Sequence, residues 1–191
     1  MEPIQLLTFV FRQFQLFLVT VIFLASTGCV SYGRVDGPYE GKVIDAQTGQ
    51  PIVGAVVLGV WSKAHPGAGG ASHTYYDSRE VLTDSNGAFS IQGLGNLLLS
   101  NIEEMNITIF KAGYTQIPPT TWTGLTDYEN EISWQGKKPT IRLKRLTMEE
   151  RRKRGVELSI IPNNKQKHLI IERNKEMVEI GRPSNTLLPV E

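Results

Sequence analysis

The chain has 191 residues, a formal net charge of +1 and a single cysteine. The small net charge gives no electrostatic reason to expect a nucleic-acid partner, and one cysteine excludes an intrachain disulfide framework. The length suits one folded domain with short appendages.

The first 28 residues have the pattern of an export signal. Arg12 precedes an uncharged apolar run, 14–25, which is shorter than the about 20 residues that a bilayer-spanning helix needs. Cys29 follows this run directly, behind the small residues Ala25, Ser26, Thr27 and Gly28. This arrangement resembles the lipobox of bacterial lipoproteins, with Ser26 where an aliphatic residue is usual. The resemblance implies that 1–28 is a lipoprotein signal peptide and that Cys29 becomes the acylated first residue.

Two other interpretations of this segment stay open: a secretory signal cleaved near Ala25 or Gly28, and an uncleaved N-terminal anchor. Under the lipoprotein interpretation, Val30 after the cysteine points to the outer membrane, with the domain facing the periplasm, because an Asp there would favour inner-membrane retention. Residues 29–38 are small, polar and turn-forming, and they predict a tether between lipid and domain.

Strand patterns separated by glycine and proline dominate residues 39–146. In chain order they predict a strand over 39–45, a turn over 47–51, a buried strand over 52–61, a glycine-rich loop over 65–70, a strand over 74–83, a hairpin over 80–92 around Asn86 and Gly87, and strands over 105–111 and 138–145. The stretches 93–104 and 116–136 have weak patterns and are predicted to be long loops. We therefore expect a mainly β protein, most simply an antiparallel sandwich or barrel.

Three short motifs make the β region similar to the carboxypeptidase regulatory-like domain. They are Gly41, Val43, Asp45, Thr48, Gly49, Pro51, Gly54, Ala55 and Val56; then Thr83, Asp84, Gly87 and Phe89; then Ala112, Gly113 and Tyr114. The resemblance implies a seven-stranded prealbumin-like β-sandwich that serves as an accessory binding or structural module. It implies no peptidase activity, because the pattern describes a fold and carries no catalytic residue.

One cluster of polar side chains offers an alternative function. It consists of His65, His73, Tyr75, Tyr76 and Asp77, residue types that can bind iron or zinc. The alternative is therefore a metal-dependent or other enzyme that uses this loop. The favoured interpretation is exposed histidines with packed tyrosines, so we predict no catalytic residue, no metal and no cofactor.

Aromatic residues in the weakly patterned stretch suggest a binding surface. Trp122, Tyr128 and Trp134 lie among polar residues, and aromatic rings of this kind stack on sugars or on protein partners. The alternative is that these rings simply pack against the core.

The C-terminal part predicts a helical appendage over 147–180. Thr147 and Glu150 match a capping box, and a second helix is expected over 164–180. The basic run 137–154 would suit anionic headgroups or simply water, and 181–191 is predicted to be a disordered tail.

The sequence as a whole predicts a membrane-anchored lipoprotein whose β-sandwich is a non-catalytic binding or structural module of the cell envelope. Its expected partners are the membrane, through the N-terminal lipid, and an envelope protein or glycan.

Overall fold

A computed structural model describes residues 12, 13 and 15 and the ranges 33–67, 69–156 and 161–190. Apart from residues 12, 13 and 15, the predicted signal peptide lies outside these residues, and so does Cys29. The described residues of 35–97 and of 101–190 belong to one compact unit, and Leu98–Ser100 lie outside that unit.

The described residues contain ten strands. They are β1 (Arg34–Asp36), β2 (Tyr39–Asp45), β3 (Val56–His65), β4 (Ser72–Leu82), β5 (Ala88–Ile91), β6 (Gly95–Leu97), β7 (Asn106–Phe110), β8 (Ile117–Thr121), β9 (Ile132–Gln135) and β10 (Lys138–Leu143). The first sheet has the order β5-β2-β10-β9, the second sheet has the order β4-β3-β7-β8, and β1 pairs with β6. The second sheet is antiparallel, whereas β2 and β10 of the first sheet run parallel.

The two four-stranded sheets share one apolar core. Buried side chains of the first sheet, such as Val43 and Ile141, cluster with buried side chains of the second sheet, such as Val57, Trp61 and Ile109. Alternation along each strand produces this arrangement, because every second side chain faces the same side of the sheet. The prediction of a mainly β protein with a C-terminal helical appendage is confirmed.

The predicted number of strands was too small. The stretch 116–136, predicted to be a loop, contributes β8 and β9, so the two sheets contain eight strands where the patterns in chain order predicted six and the family resemblance implied seven. Both are edge strands. Pro118 and Pro119 give β8 a sequence that is not typical of a strand. Proline is nevertheless tolerated at a sheet edge, because its missing N–H removes no hydrogen bond between strands there.

The predicted hairpin over 80–92 is wrong, although its turn is present. The Asp84 carboxylate accepts hydrogen bonds from the backbone N–H of Asn86 and of Ala88, both at 2.8 Å. Gly87 has φ +72°, and Val43 N–H donates to its carbonyl. The chain therefore crosses between sheets at this turn, because β4 pairs with β3 and β5 pairs with β2.

The predicted strand over 52–61 begins later than expected. Residues 52–55 form a turn around Thr83, whose hydroxyl donates to the Ile52 carbonyl at 2.6 Å and accepts from the Ala55 N–H at 2.8 Å. Because this buried hydroxyl satisfies the backbone groups of the turn, an apolar segment folds there without strand pairing.

The helical appendage covers the outer face of the second sheet. Helix α1 spans Met148–Lys153, and helix α2 spans Lys167–Glu179 after a 3-10 turn at Asn163–Lys165. Leu169 of α2 packs with buried side chains of β3 and β7, namely Val56, Leu58, Val60 and Phe110. Among the described residues no helix is long and apolar enough to cross a membrane.

Two segments that were predicted to be irregular contain local structure. Arg34–Asp36, inside the predicted tether, forms β1. The predicted tail contains a 3-10 turn at Ser184–Thr186, and Asn174 of α2 exchanges two hydrogen bonds with the backbone of Leu188.

Candidate functional surfaces

Trp122 and Trp134 lie together, as a binding surface would require, but both are half-buried. Their ring centroids are 5.8 Å apart in an edge-to-face arrangement. Trp122 also meets Tyr39 at 5.1 Å and Phe89 at 6.5 Å, and both tryptophans pack against the core between the sheets. Much of each ring therefore fills the edge of the sandwich, and the remainder is open to a partner.

Tyr128 belongs to a different part of the same edge. It follows the 3-10 helix Thr123–Asp127, and it lines a depression with Gln116, Arg142 and Lys144. The three aromatic residues of the predicted surface thus comprise one tryptophan pair and one tyrosine beside charged side chains. Binding of a partner by these residues stays a prediction.

The predicted polar cluster lies on the β3–β4 hairpin. His65 contacts the Thr74 hydroxyl at 2.9 Å, and His73 contacts the Glu103 carboxylate at 2.8 Å. Tyr75 bonds to Ser78, and Lys63 lies over the ring of Tyr76. No group of three or more His, Cys, Asp or Glu side chains in the described ranges is arranged to hold a metal ion.

A depression of about 640 Å³ is lined mainly by β2, β5 and β10 of the first sheet, together with Val81 and Leu82 of β4. Its polar lining includes the ion pair between Lys138 and Glu40, 2.7 Å apart, and the side chain of Asp84, and its apolar lining includes Phe89 and Pro139. A surface of hydroxyl, amide and charged groups can hydrogen-bond a polar ligand or polypeptide.

The basic run 137–154 is largely engaged in ion pairs. Lys144 pairs with Glu150 at 2.9 Å, and Lys153 pairs with Glu149 at 2.6 Å. The Thr147 N–H donates to Glu150, and this bond together with Lys144 lowers the pKa of Glu150 to about 2. Part of the positive charge of the run is therefore balanced by nearby acids, and contact with anionic headgroups stays a prediction.

Two arginines near the end of that run belong to a buried charge cluster, defined by Arg151, Arg154 and Glu176. The Glu176 side chain is almost fully buried, and it accepts hydrogen bonds from Arg151 at 2.5 Å and from Arg154 at 2.8 Å. It also accepts from the Gly113 N–H at 2.8 Å. Helix α2, the end of helix α1 and the loop after β7 therefore meet at one carboxylate.

The surroundings of Glu176 hold it in the charged form. Burial alone raises its pKa, but the hydrogen bonds from Arg151 and Gly113 and the charge of Arg154 outweigh burial and lower the pKa below its ordinary value. Desolvation lowers the pKa of Arg154, whose guanidinium also lies over the ring of Phe110 at 5.5 Å. Arg151, with Glu176 and Glu179 as acceptors, has a raised pKa.

A second carboxylate fixes the start of α2. Glu80 of β4 accepts hydrogen bonds from the backbone N–H of His168 and of Leu169, both at 2.7 Å, and from the His168 ring at 2.8 Å. The first N–H groups of a helix lack partners within the helix, and a carboxylate there also complements the helix dipole. Glu80 thus caps α2 from the neighbouring sheet.

Another buried carboxylate joins β1 to the core. Asp36 accepts hydrogen bonds from the Tyr39 hydroxyl at 2.7 Å, from the Trp61 indole N–H at 2.9 Å and from the Leu94 N–H at 2.9 Å. These contacts tie the segment that enters the sandwich to its largest buried side chain.

Sequence reasoning identified none of these three carboxylates. The signals in the sequence were weak: Asp36 lies in a segment that reads as a tether, and Glu80 and Glu176 look like ordinary solvent-facing acids.

The chain matches no protein-family model, no curated protein and no solved structure in the comparisons made.

Proposed function

We propose that the chain is a membrane-anchored lipoprotein whose β-sandwich acts as a non-catalytic binding or structural module in the cell envelope, at the outer membrane facing the periplasm. The observation that carries the proposal is the lone Cys29 directly behind an uncharged apolar run. Cysteine in this position is the acceptor of the lipid in the lipobox that the sequence resembles.

The architecture supports a module with the prealbumin-like fold. Two four-stranded sheets share one core, and one glycine of each motif occupies a turn, with φ +70° at Gly49, +72° at Gly87 and +86° at Gly113. These are backbone conformations that favour glycine. This supports the resemblance to the carboxypeptidase regulatory-like domain on which the module role rests.

The arrangement of polar groups favours a binding or structural role over an enzyme. Buried Asp36 and Glu176 accept hydrogen bonds that join segments of the fold. The histidines of the β3–β4 hairpin form two separate exposed pairs, with Thr74 and with Glu103. In these positions the carboxylates and histidines contribute to the fold. The partner that we propose for the surface near Trp122 and Trp134 is an envelope protein or a glycan.

The anchor is tested by intact mass of the mature protein, purified from a bacterium with a lipoprotein export pathway. We expect an N-terminus at Cys29 that carries acyl chains. Cys29→Ser should abolish both acylation and cleavage before residue 29. The matched control Ser26→Leu, which places an aliphatic residue where the lipobox usually has one, should retain both. A mature N-terminus without acyl chains contradicts the proposal.

The module role is tested by crosslinking and affinity purification from cell envelopes. The native chain is compared with Cys29→Ser and with Trp134→Phe, which keeps an aromatic ring and removes the indole N–H. We expect a specific envelope component that Cys29→Ser fails to recover. Recovery of no component by the correctly localised native chain contradicts a binding role and leaves the anchor result unaffected.

A further inference from the structure

Two adjacent leucines project from the loop after β6. Leu98 is 75% exposed and Leu99 is 79% exposed, the largest exposures among the bulky apolar residues of the described ranges. Leu99 also adopts φ +49°, a left-handed conformation that is uncommon for leucine. A loop that only faced water would gain nothing from two such side chains, because apolar surface in water is unfavourable.

The segments on both sides of the leucines are fixed. Before them, β6 pairs with β1. After them, Asn101 makes two hydrogen bonds with the backbone of Ala64, at 2.8 and 3.0 Å, and the Glu103 N–H donates to the Ser62 carbonyl at 2.8 Å. The leucines are therefore presented on a short loop with anchored ends.

The loop is also free of charge. Residues 93–102 contain no Asp, Glu, Lys or Arg, although such residues make up 20% of the chain. An uncharged segment can leave water without desolvating an ion, which is the main cost of moving a surface loop into an apolar medium.

The strand that leads into this loop, β6, pairs with β1, the first strand of the described chain. Gly93 lies against Asp36, so close that a Cβ on Gly93 would lie 1.9 Å from the Asp36 carbonyl oxygen. Since residue 93 lies beside residue 36 and β6 then pairs with β1, the two segments run in opposite directions, and Leu97 lies toward the start of β1.

The distance from that point to the lipid is short. Five residues of chain lead from Cys29 to Arg34, and they span at most about 18 Å when fully extended. The acyl chains on Cys29, which the function proposed above supplies, therefore keep the start of β1 near the bilayer surface.

We propose that Leu98 and Leu99 insert into the interface of the bilayer that holds the acylated Cys29. This inference rests on the proposed function, and it adds a second membrane contact beside the lipid. Stable attachment of a peripheral protein combines two membrane signals, and an inserted apolar loop is a second signal beside the acyl chains.

The test uses the full acylated chain in phosphatidylcholine vesicles that contain a nitroxide-labelled phospholipid. Leu99→Cys is labelled with an environment-sensitive fluorophore, while acylation blocks Cys29. Quenching at position 99 should be at least about twofold, because interfacial segments lie about 5–10 Å into the headgroup and acyl boundary. The matched control is Val178→Cys, at an apolar residue of α2 that is 62% exposed, and its label should stay unquenched.

The outcomes separate this inference from the anchor itself. Equal quenching at both positions, or none at position 99, overturns it. A shift of emission without lipid quenching indicates a protein contact, such as a second copy, and also overturns it. Intact mass of the same preparation reports the anchor: if acyl chains are missing, the proposed function fails and this inference fails with it, whereas an acylated chain without quenching at position 99 overturns this inference alone.

Discussion

The two faces of the second sheet are held to their neighbours in different ways. The inner face packs on the first sheet through a broad apolar core that includes Trp61, Ile107 and Ile109. The outer face meets the helical appendage through a small apolar cluster, to which α2 contributes buried Leu169, and through the charge cluster of Arg151, Arg154 and Glu176.

The two kinds of contact contribute differently: one stabilises the packing of neighbouring elements, and the other determines where these elements meet. Apolar burial is non-directional and scales with area, so the inner face supplies most of the stabilising free energy. A buried ion pair adds little net stability compared with apolar residues of the same shape, but removal of one partner is costly. We therefore expect the charge cluster to fix where the appendage docks more than how tightly it docks.

The largest effect should come from the inner face. Trp61→Ala removes a fully buried ring and its hydrogen bond to Asp36, and the free energy of unfolding should fall by about 3–5 kcal/mol. Urea denaturation followed by circular dichroism measures this loss. Val178→Ala, at an exposed position of α2, should change stability by less than about 0.5 kcal/mol. A loss below about 1 kcal/mol for Trp61→Ala would contradict the dominance of the inner face.

On the outer face, Glu176→Gln should have a smaller and more local effect. The amide still accepts from the Gly113 N–H but leaves Arg151 and Arg154 without their buried counter-charge, at a cost of about 1–3 kcal/mol. Hydrogen exchange should accelerate in 167–179 while β3 and β7 stay protected. Glu179→Gln is the matched control, since Glu179 also meets Arg151 but is 40% exposed. Equal acceleration in both variants would argue against a special role of Glu176.

Acid should weaken the outer face selectively. The folded-state pKa of Glu176 lies below its ordinary value of 4.5. The stabilisation by its carboxylate is therefore complete above the unfolded-state pKa, and it is lost as pH falls from about 4.5 through the folded-state pKa. Exchange in α2 should accelerate in this range, by at most about tenfold per pH unit for one proton. Glu176→Gln should lack this component, and an identical pH profile in native chain and variant would disprove the assignment.

Local signals explain what the sequence predicted well. The capping box of Thr147 and Glu150 forms as expected, with bonds of 2.8 and 3.3 Å, because its partners are three residues apart. The strand over 39–45 and the face formed by Ile141 and Leu143 follow from β propensity and a period of two. Such features depend on residues that are neighbours in the chain.

Features set by distant residues escaped prediction. The strand after Gly87 pairs with β2 and not with β4, and nothing near the turn specifies that choice. The same limit applies to the candidate surfaces, because the contact of Trp122 with Trp134 depends on how β9 packs at the edge of the first sheet. Glu80 and Glu176 have no local mark either, since each is buried by an element at least 22 residues away in the chain.

Glu80→Gln should have the smallest effect on stability, and this effect should be confined to the start of α2. The substituted side chain would keep one acceptor oxygen for the amides of His168 and Leu169 but lose the charge that complements the helix dipole, a loss of about 0.5–1 kcal/mol. Faster exchange confined to these two amides measures it. The matched control is Asp77→Asn, whose carboxylate on the same strand pairs with side-chain cations, at 3.5 Å from Lys165 and 3.9 Å from Arg79. If both variants leave the first turn of α2 equally protected, the apolar contact of Leu169 alone positions the helix. The two faces of the second sheet then differ in buried apolar area and not in the kind of interaction that holds their neighbours.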